Sequence, residues 1–254
     1  MVKNAILALL ISICNVFINA DAFGPSGWSQ ATATFYGGSD ASGTMSGACG
    51  YGNTYVTGYG VRTTALSTPL FNQGASCGSC YRLICNYNLD RRFCIKNAGV
   101  TVTAIDFCPP DFCPSGSYGG WCNPPKVHFD MSQPAWLNIG IYAGGVVPVV
   151  YQRVPCVKHG GVRFTINGNE YWNLILITNV AEAGSIQSMS VQGSNTDWMK
   201  MSWNWGANWQ SSAYLVGKSL SFMVTAADGE VRTFPDIVPS NWEFGQTFSS
   251  LIQF

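Results

Sequence analysis

The sequence predicts an all-β protein in two parts: a barrel of short strands tied by disulfides, then an antiparallel β-sandwich held by hydrophobic burial alone. Three observations carry this. The cysteines all fall at or before Cys156, so the chain beyond must fold without cross-links. Before that point, short apolar stretches such as Val100–Ile105 alternate with clusters of Gly, Ser, Asn and Pro that signal turns. After it, Asn167-Gly168 and Asp228-Gly229 each separate two β-rich runs, and both central positions of a type I′ hairpin turn need the positive φ that such pairs tolerate.

Taken in order, the chain opens with Met1 to Asn4, an apolar run from Ala5 to Ile18 and the small-residue triplet Ala20-Asp21-Ala22. This is the layout of a cleaved signal peptide over residues 1–22. The apolar run is shorter than the ~20 residues that span a bilayer, so no integral membrane anchor is expected. Residues 23–157 form the expected barrel domain. Two short helices are expected within it, around Ala65–Phe71 and over Gln133–Tyr142, the second with Ser132 as N-cap and Pro134 in its first turn. Pro155–Gly161 reads as the junction. Residues 158–254 form the sandwich, with β-rich runs over Val162–Ile166, Tyr171–Val180, Leu220–Ala226 and Val231–Phe234.

Composition narrows the partners. The 13 basic and 13 acidic residues cancel, so no field of one sign draws nucleic acid or an anionic membrane. Aromatic residues outnumber charged ones, 13% against 10%, which suits a protein that meets a neutral glycan. Cys14 leaves with the leader, and Cys49, Cys77, Cys80, Cys85, Cys94, Cys108, Cys113, Cys122 and Cys156 remain. Cys77-Gly78-Ser79-Cys80 has the spacing of a redox or zinc motif, but zinc needs four placed ligands and only His128 and His159 could supplement the thiols. An oxidising compartment favours structural disulfides, so no metal and no cofactor is expected. The number remaining is odd, so one thiol is left over.

Ordered motifs then accumulate: Gly27-Trp28-Ser29-Gln30, Ala33-Thr34-Phe35-Tyr36-Gly37-Gly38, Gly47-Ala48-Cys49-Gly50-Tyr51-Gly52-Asn53, Cys77-Gly78-Ser79-Cys80-Tyr81, Phe107-Cys108-Pro109-Pro110 and Gly120-Trp121-Cys122-Asn123-Pro124-Pro125. His128-Phe129-Asp130 follows, and Arg153-Val154-Pro155-Cys156 closes the first half. Together these resemble an α-expansin along nearly the whole chain after residue 22. The resemblance implies a six-stranded double-psi β-barrel similar to family 45 endoglucanases, followed by an immunoglobulin-like β-sandwich that binds cellulose. It also implies the pairs Cys49–Cys77, Cys80–Cys156, Cys85–Cys94 and Cys108–Cys122, with Cys113 as the extra cysteine, which could stay free, bridge to another molecule or displace Cys108.

Read alone, Asp130 is as much a turn or capping residue before a helix as a functional one. The resemblance favours function, because the matching Asp of the related endoglucanases is the general acid. An inverting glycosidase needs a second carboxylate about 6.5–9.5 Å away as base. The position where the enzymes carry it is Gly38, which has no carboxyl group to offer, so ordinary hydrolysis should fail. Asp40 and Asp106 are the other acids of the expected groove. Asp106 stands where α-expansins usually carry Asn, and a hydrogen bond to a sugar hydroxyl is favoured for it over the role of base. Thr34 and Tyr36 alternate with Phe35 and so share one face of a strand. By resemblance Thr34, Tyr36, Asp40, Asp106 and Asp130 line the groove with His128 beside them, while Thr32 departs from the usual His.

Most of the aromatic side chains after Cys156 should be core. The resemblance places binding aromatics at the start of the Tyr171-Trp172 strand and in Trp205-Gly206-Ala207-Asn208-Trp209, with Tyr171 and Trp209 favoured, Trp172 third, Trp205 in the same loop, and Trp28 and Tyr36 extending the line from the barrel. The function implied is a secreted, monomeric, cell-wall-loosening protein whose partners are cellulose and xyloglucan and which acts at acidic pH without hydrolysis. An endo-β-1,4-glucanase or lytic glycan-cleaving enzyme using Asp130 is the enzymatic alternative, and a barwin-like defence protein the binding alternative, which the second domain disfavours.

Overall fold

The computed structural model describes residues 23–111 and 120–254; the expected signal peptide and Cys113 lie outside the described residues. Six strands close into a barrel: β1 (Ser29–Tyr36), β2 (Thr63–Leu66), β3 (Cys80–Cys85), β4 (Gly99–Phe107), β5 (His128–Ser132) and β6 (Val147–Val154), in the order β1-β5-β2-β4-β3-β6. β1 runs parallel to β5 and β2 to β4, while β1 closes antiparallel on β6. Alternation along these strands points Ala33, Leu83, Val102, Phe129 and Met131 into the barrel, where Trp136 packs on Phe35 with ring centroids 5.0 Å apart. Disulfides join Cys49 to Cys77, Cys80 to Cys156, Cys85 to Cys94 and Cys108 to Cys122. The cysteines of Cys77-Gly78-Ser79-Cys80 thus go to different partners.

The expected helices shrink to single turns. α1 (Thr54–Thr57) is capped by Asn53, whose side chain accepts from Tyr55 N. α2 covers only Thr68–Phe71, because Ala65 and Leu66 are held by β2. α3 covers only Gln133–Trp136, and the Ser132 side chain gives it no cap, since that hydroxyl donates to the Val61 carbonyl instead.

Beyond residue 161, two sheets pack face to face. One contains β9 (Ile186–Gly193), β10 (Met199–Lys200), β13 (Leu220–Ala226) and β14 (Val231–Val238). The other contains β7 (Arg163–Asn169), β8 (Trp172–Thr178), β11 (Ser202–Trp205), β12 (Asn208–Ser211) and β15 (Thr247–Ser249). Phe164 of β7 stacks on Phe222 of β13 at 4.4 Å and meets Phe234 of β14 edge-on. Each such buried ring contributes about 1.5–3 kcal/mol, which replaces cross-links in this cysteine-free half. Asp228-Gly229 turns the chain between β13 and β14 as expected, but in a three-residue loop rather than a type I′ turn: Ala226 N donates to Glu230 O, and only Gly229 of the pair takes a positive φ. Asn167-Gly168 does not. Asn167 pairs with Leu174, Gly168 with Asn173 and Asn169 with Trp172, so β7 continues through the pair and the loop is Glu170-Tyr171.

The halves share one core. Cys49, Tyr51, Tyr59, Cys77 and Ile105 of the barrel belong to the same hydrophobic cluster as Phe164 and Trp209. Across the junction, Ala207 N donates to Cys49 O and the Cys156 and Glu182 backbones pair.

Candidate functional site

The site is a row of side chains on the outer face of four adjacent barrel strands. Thr34 of β1 is in register with Asp130 of β5, Asp130 with Ala65 of β2, and Ala65 with Asp106 of β4. A β-bulge makes the last pairing: β2 steps from Thr64 opposite Ala104 to Ala65 opposite Asp106, so Ile105 is passed over and Asp106 is turned outward. Asp130 and Asp106 therefore sit two strands apart, ~9–10 Å between Cα atoms at the usual strand spacing, with the small Ala65 as the floor between them.

Asp130 ends a chain of hydrogen bonds. Thr34 Oγ1 donates to Asp130 Oδ1 at 2.7 Å and lies 2.7 Å from His128 Nε2, while Thr32 Oγ1 lies 2.7 Å from His128 Nδ1. A hydroxyl has one proton, so when Thr34 gives its proton to Asp130, Nε2 must donate to Thr34 and Nδ1 must accept from Thr32. His128 is buried beneath the Trp121 ring, which stacks at 6.1 Å. That burial, with the Lys126 charge nearby, lowers the imidazole to about 4, so it stays neutral. Burial also pushes the Asp130 carboxyl above its ordinary range; the Thr34 hydrogen bond opposes this and the Asp106 charge adds to it.

Asp106 is differently held. Oδ1 accepts from Ala48 N at 2.7 Å and Phe107 N at 2.8 Å, and Oδ2 accepts from the Tyr36 hydroxyl at 3.2 Å. Tyr36 cannot lose its proton here, because burial first, then Asp106 and Asp130, drive the phenol far above its usual range. Gly47 closes over this carboxylate so tightly that a Cβ there would stand 2.7 Å from Asp106 Cγ.

On the sandwich, the outer face of the β7–β8–β12–β11 sheet carries Trp172 and Trp205, and Tyr171 stands in the loop just ahead of Trp172, 77% exposed. Trp172 Nε1 donates to Gln210. Trp205, 45% exposed, lies against Gly50, two residues from the Ala48 amide that holds Asp106. The aromatic face thereby abuts the groove.

A family model described as Expansin C-terminal domain matches residues 162–239, and one described as Lytic transglycolase matches residues 63–151. Expansin-A13 of Oryza sativa subsp. japonica is 61% identical over 234 residues, covering 92% of this chain and 89% of its own length. The chain belongs to the expansin family. Expansin-A7 of Arabidopsis thaliana is 44% identical over 251 residues, 98% of this chain and 94% of its own. A crystal structure of apo expansin from Clavibacter michiganensis matches with a TM-score of 0.67 at 17% identity, over 89% of this chain and 98% of that one. A variant of that protein in complex with cellohexaose matches at 0.64 and 15% identity. At these identities the two structures establish a common fold.

In this expansin, Thr34, Tyr36, Asp106, His128 and Asp130 come together. Asp40 does not join them: its carboxylate is exposed and accepts from Ser42 N, which lowers its pKa, in a turn beyond the groove row. Trp28 is exposed ahead of β1. Trp209 is the correction. It is 5% exposed because it pairs with Ile175 on the inner face of its sheet, whereas the irregularity between Trp203 and Trp205 puts Trp205 opposite Asn208 on the outer face. Two participants were not singled out from the sequence, Trp121 and Ala65. Trp121 had a signal, since Cys122 beside it is tied to Cys108, two residues after Asp106; Ala65 had none, because its place depends on strand register.

Proposed function

We propose that this expansin is a secreted cell-wall protein that loosens the wall by holding a neutral glucan chain of cellulose or xyloglucan without hydrolysing it. In this reading the chain lies over Ala65 between Asp130 and Asp106 and continues across Trp205, Trp172 and Tyr171, whose exposed rings suit the flat C–H faces of a sugar chain. The observation that carries it is the inequality of the two carboxylates. Asp130 has a raised pKa and can hold a proton at acidic pH, as a donor to a glycosidic or hydroxyl oxygen needs. Asp106 already accepts three hydrogen bonds, and Gly38 offers no carboxyl group, so no free base is left to activate water.

The enzymatic reading draws on the lytic-transglycolase description of the barrel match and on the placement of Asp106 and Asp130 two strands apart on one face of the barrel. The Tyr36 and backbone donors argue against it, since they occupy lone pairs that a base would have to offer to a water. The test is Asp130→Asn in heat-killed wall strips held under load. The proposal expects creep to vanish while cellulose pull-down stays within about twofold of wild type. Creep at the wild-type rate would refute the role given to Asp130.

A further inference from the structure

A second recess lies on another sector of the barrel, outside β3, β4 and the end of β6. On these strands Tyr81, Leu83 and Val102 fill the interior, so Arg82, Thr101 and Thr103 face outward, with Arg82 directly opposite Thr101 in register. Together with Arg62 and Lys158 they line a cavity of about 470 Å³, within the range of about 300–1,000 Å³ typical of ligand sites. Three of the lining side chains are cations and none is an acid. This cannot reflect a generally basic protein, because the chain carries no net charge.

The cations are also unneutralised. Among the described residues the one ion pair found joins Arg232 to Glu230, far along the chain. Lys158 rests its ammonium 4.5 Å from the centroid of the Tyr59 ring and 3.4 Å from Thr103 Oγ1. Burial draws its pKa down to about 8, which leaves it charged at acidic and neutral pH. Its backbone is fixed. Two residues earlier, Cys156 is bonded to Cys80 and exchanges both backbone hydrogen bonds with Glu182. Like charges gathered in one recess repel, and a desolvated ammonium gains from an anion; a carboxylate answers both and can take a forked contact from an arginine. The rest of the lining suits a sugar ring, with the Thr101 and Thr103 hydroxyls beside apolar Val154, Pro155 and Val157.

We propose that this cavity binds the carboxylate of a uronic-acid residue in an acidic polysaccharide. The site does not rest on the groove's reading, because it shares none of the groove's side chains. The test is calorimetric titration of the full secreted chain with α-1,4-linked galacturonate oligomers at mildly acidic pH. Binding should fall with added salt. It should disappear when the oligomer is methyl-esterified, and should weaken about tenfold in Arg62→Ala and again in Lys158→Met, the loss expected for a charged hydrogen bond. Arg62 is exposed, so its variant keeps the test valid if Lys158→Met does not fold. Binding of cellohexaose should be unchanged in Arg62→Ala. Salt-insensitive binding, equal binding of the methyl ester, or affinity that survives both substitutions would overturn the proposal. Inorganic phosphate binding more tightly than galacturonate would overturn the uronate assignment in favour of a simple anion site.

Discussion

His128 and Asp130 sit two residues apart on β5 and tilt stability with pH in opposite directions. An unfolded histidine titrates near 6.5, but the buried His128 stays neutral to about 4. Between those values the unfolded chain binds more protons, so stability is lost as the pH falls from about 6.5 to about 4, by an amount on the order of 3 kcal/mol. For Asp130 the sign reverses. The fold holds its proton at pH values where an unfolded carboxyl, at 3.8, has released it, so its contribution is present in acid and is lost as the pH rises above that value. Asp130→Asn removes only the second effect. Thermal melts should therefore show the variant gaining on wild type as the pH rises above about 3.8; a difference that stays constant with pH would mean that Asp130 is not desolvated as described. Thr32, although it departs from the usual family residue, still closes the far end of the same relay through His128 Nδ1.

At the scale of elements, the β11–β12 hairpin separates two tryptophans that are close in sequence. Trp205 faces outward and Trp209 inward. Trp205→Ala should reduce cellulose binding severalfold and leave thermal stability nearly unchanged, whereas Trp209→Ala should cost about 3–5 kcal/mol, the penalty for truncating a buried ring. Denaturation and pull-down on both variants read this directly. The same hairpin shows what the sequence could carry. The all-β division into barrel and sandwich was legible, because turn chemistry and cysteine placement are local signals, and Asp130 was legible through its motif. Trp209 was misplaced because the resemblance names the loop and not the face: in β12 it pairs with Ile175 and turns into the core. Asp106 was recognised as a candidate, but its hydrogen bonds depend on the bulge at Ile105 and on Ala48, 58 positions away in sequence. The Asn167-Gly168 turn was misread for a similar reason: pairing with β8 extends β7 past the pair.

At the scale of the whole molecule, the barrel and sandwich meet through side chains, such as Arg153 donating to the Ala183 carbonyl, and at one point through backbone packed on backbone. A Cβ on Gly184 would stand 2.4 Å from Gly78 O and 2.5 Å from Cys156 Sγ, at a φ of +71°. Gly184→Ala should therefore push the halves apart and lower the melting temperature by several degrees. Creep activity should fall more than cellulose binding does, because the groove and the aromatic face would no longer be continuous; an equal loss of both would show that the junction only supports the fold. The central proposal is that a barrel whose Asp130 is desolvated and whose Asp106 is already engaged by three donors loosens polysaccharide without cutting it. It is tested most directly by measuring extension and new reducing ends together, on the same wall strips, over the same acidic period. The account predicts steady extension with reducing ends at the level of buffer alone, while reducing ends that rise in proportion to extension, and that disappear in Asp106→Asn, would contradict it.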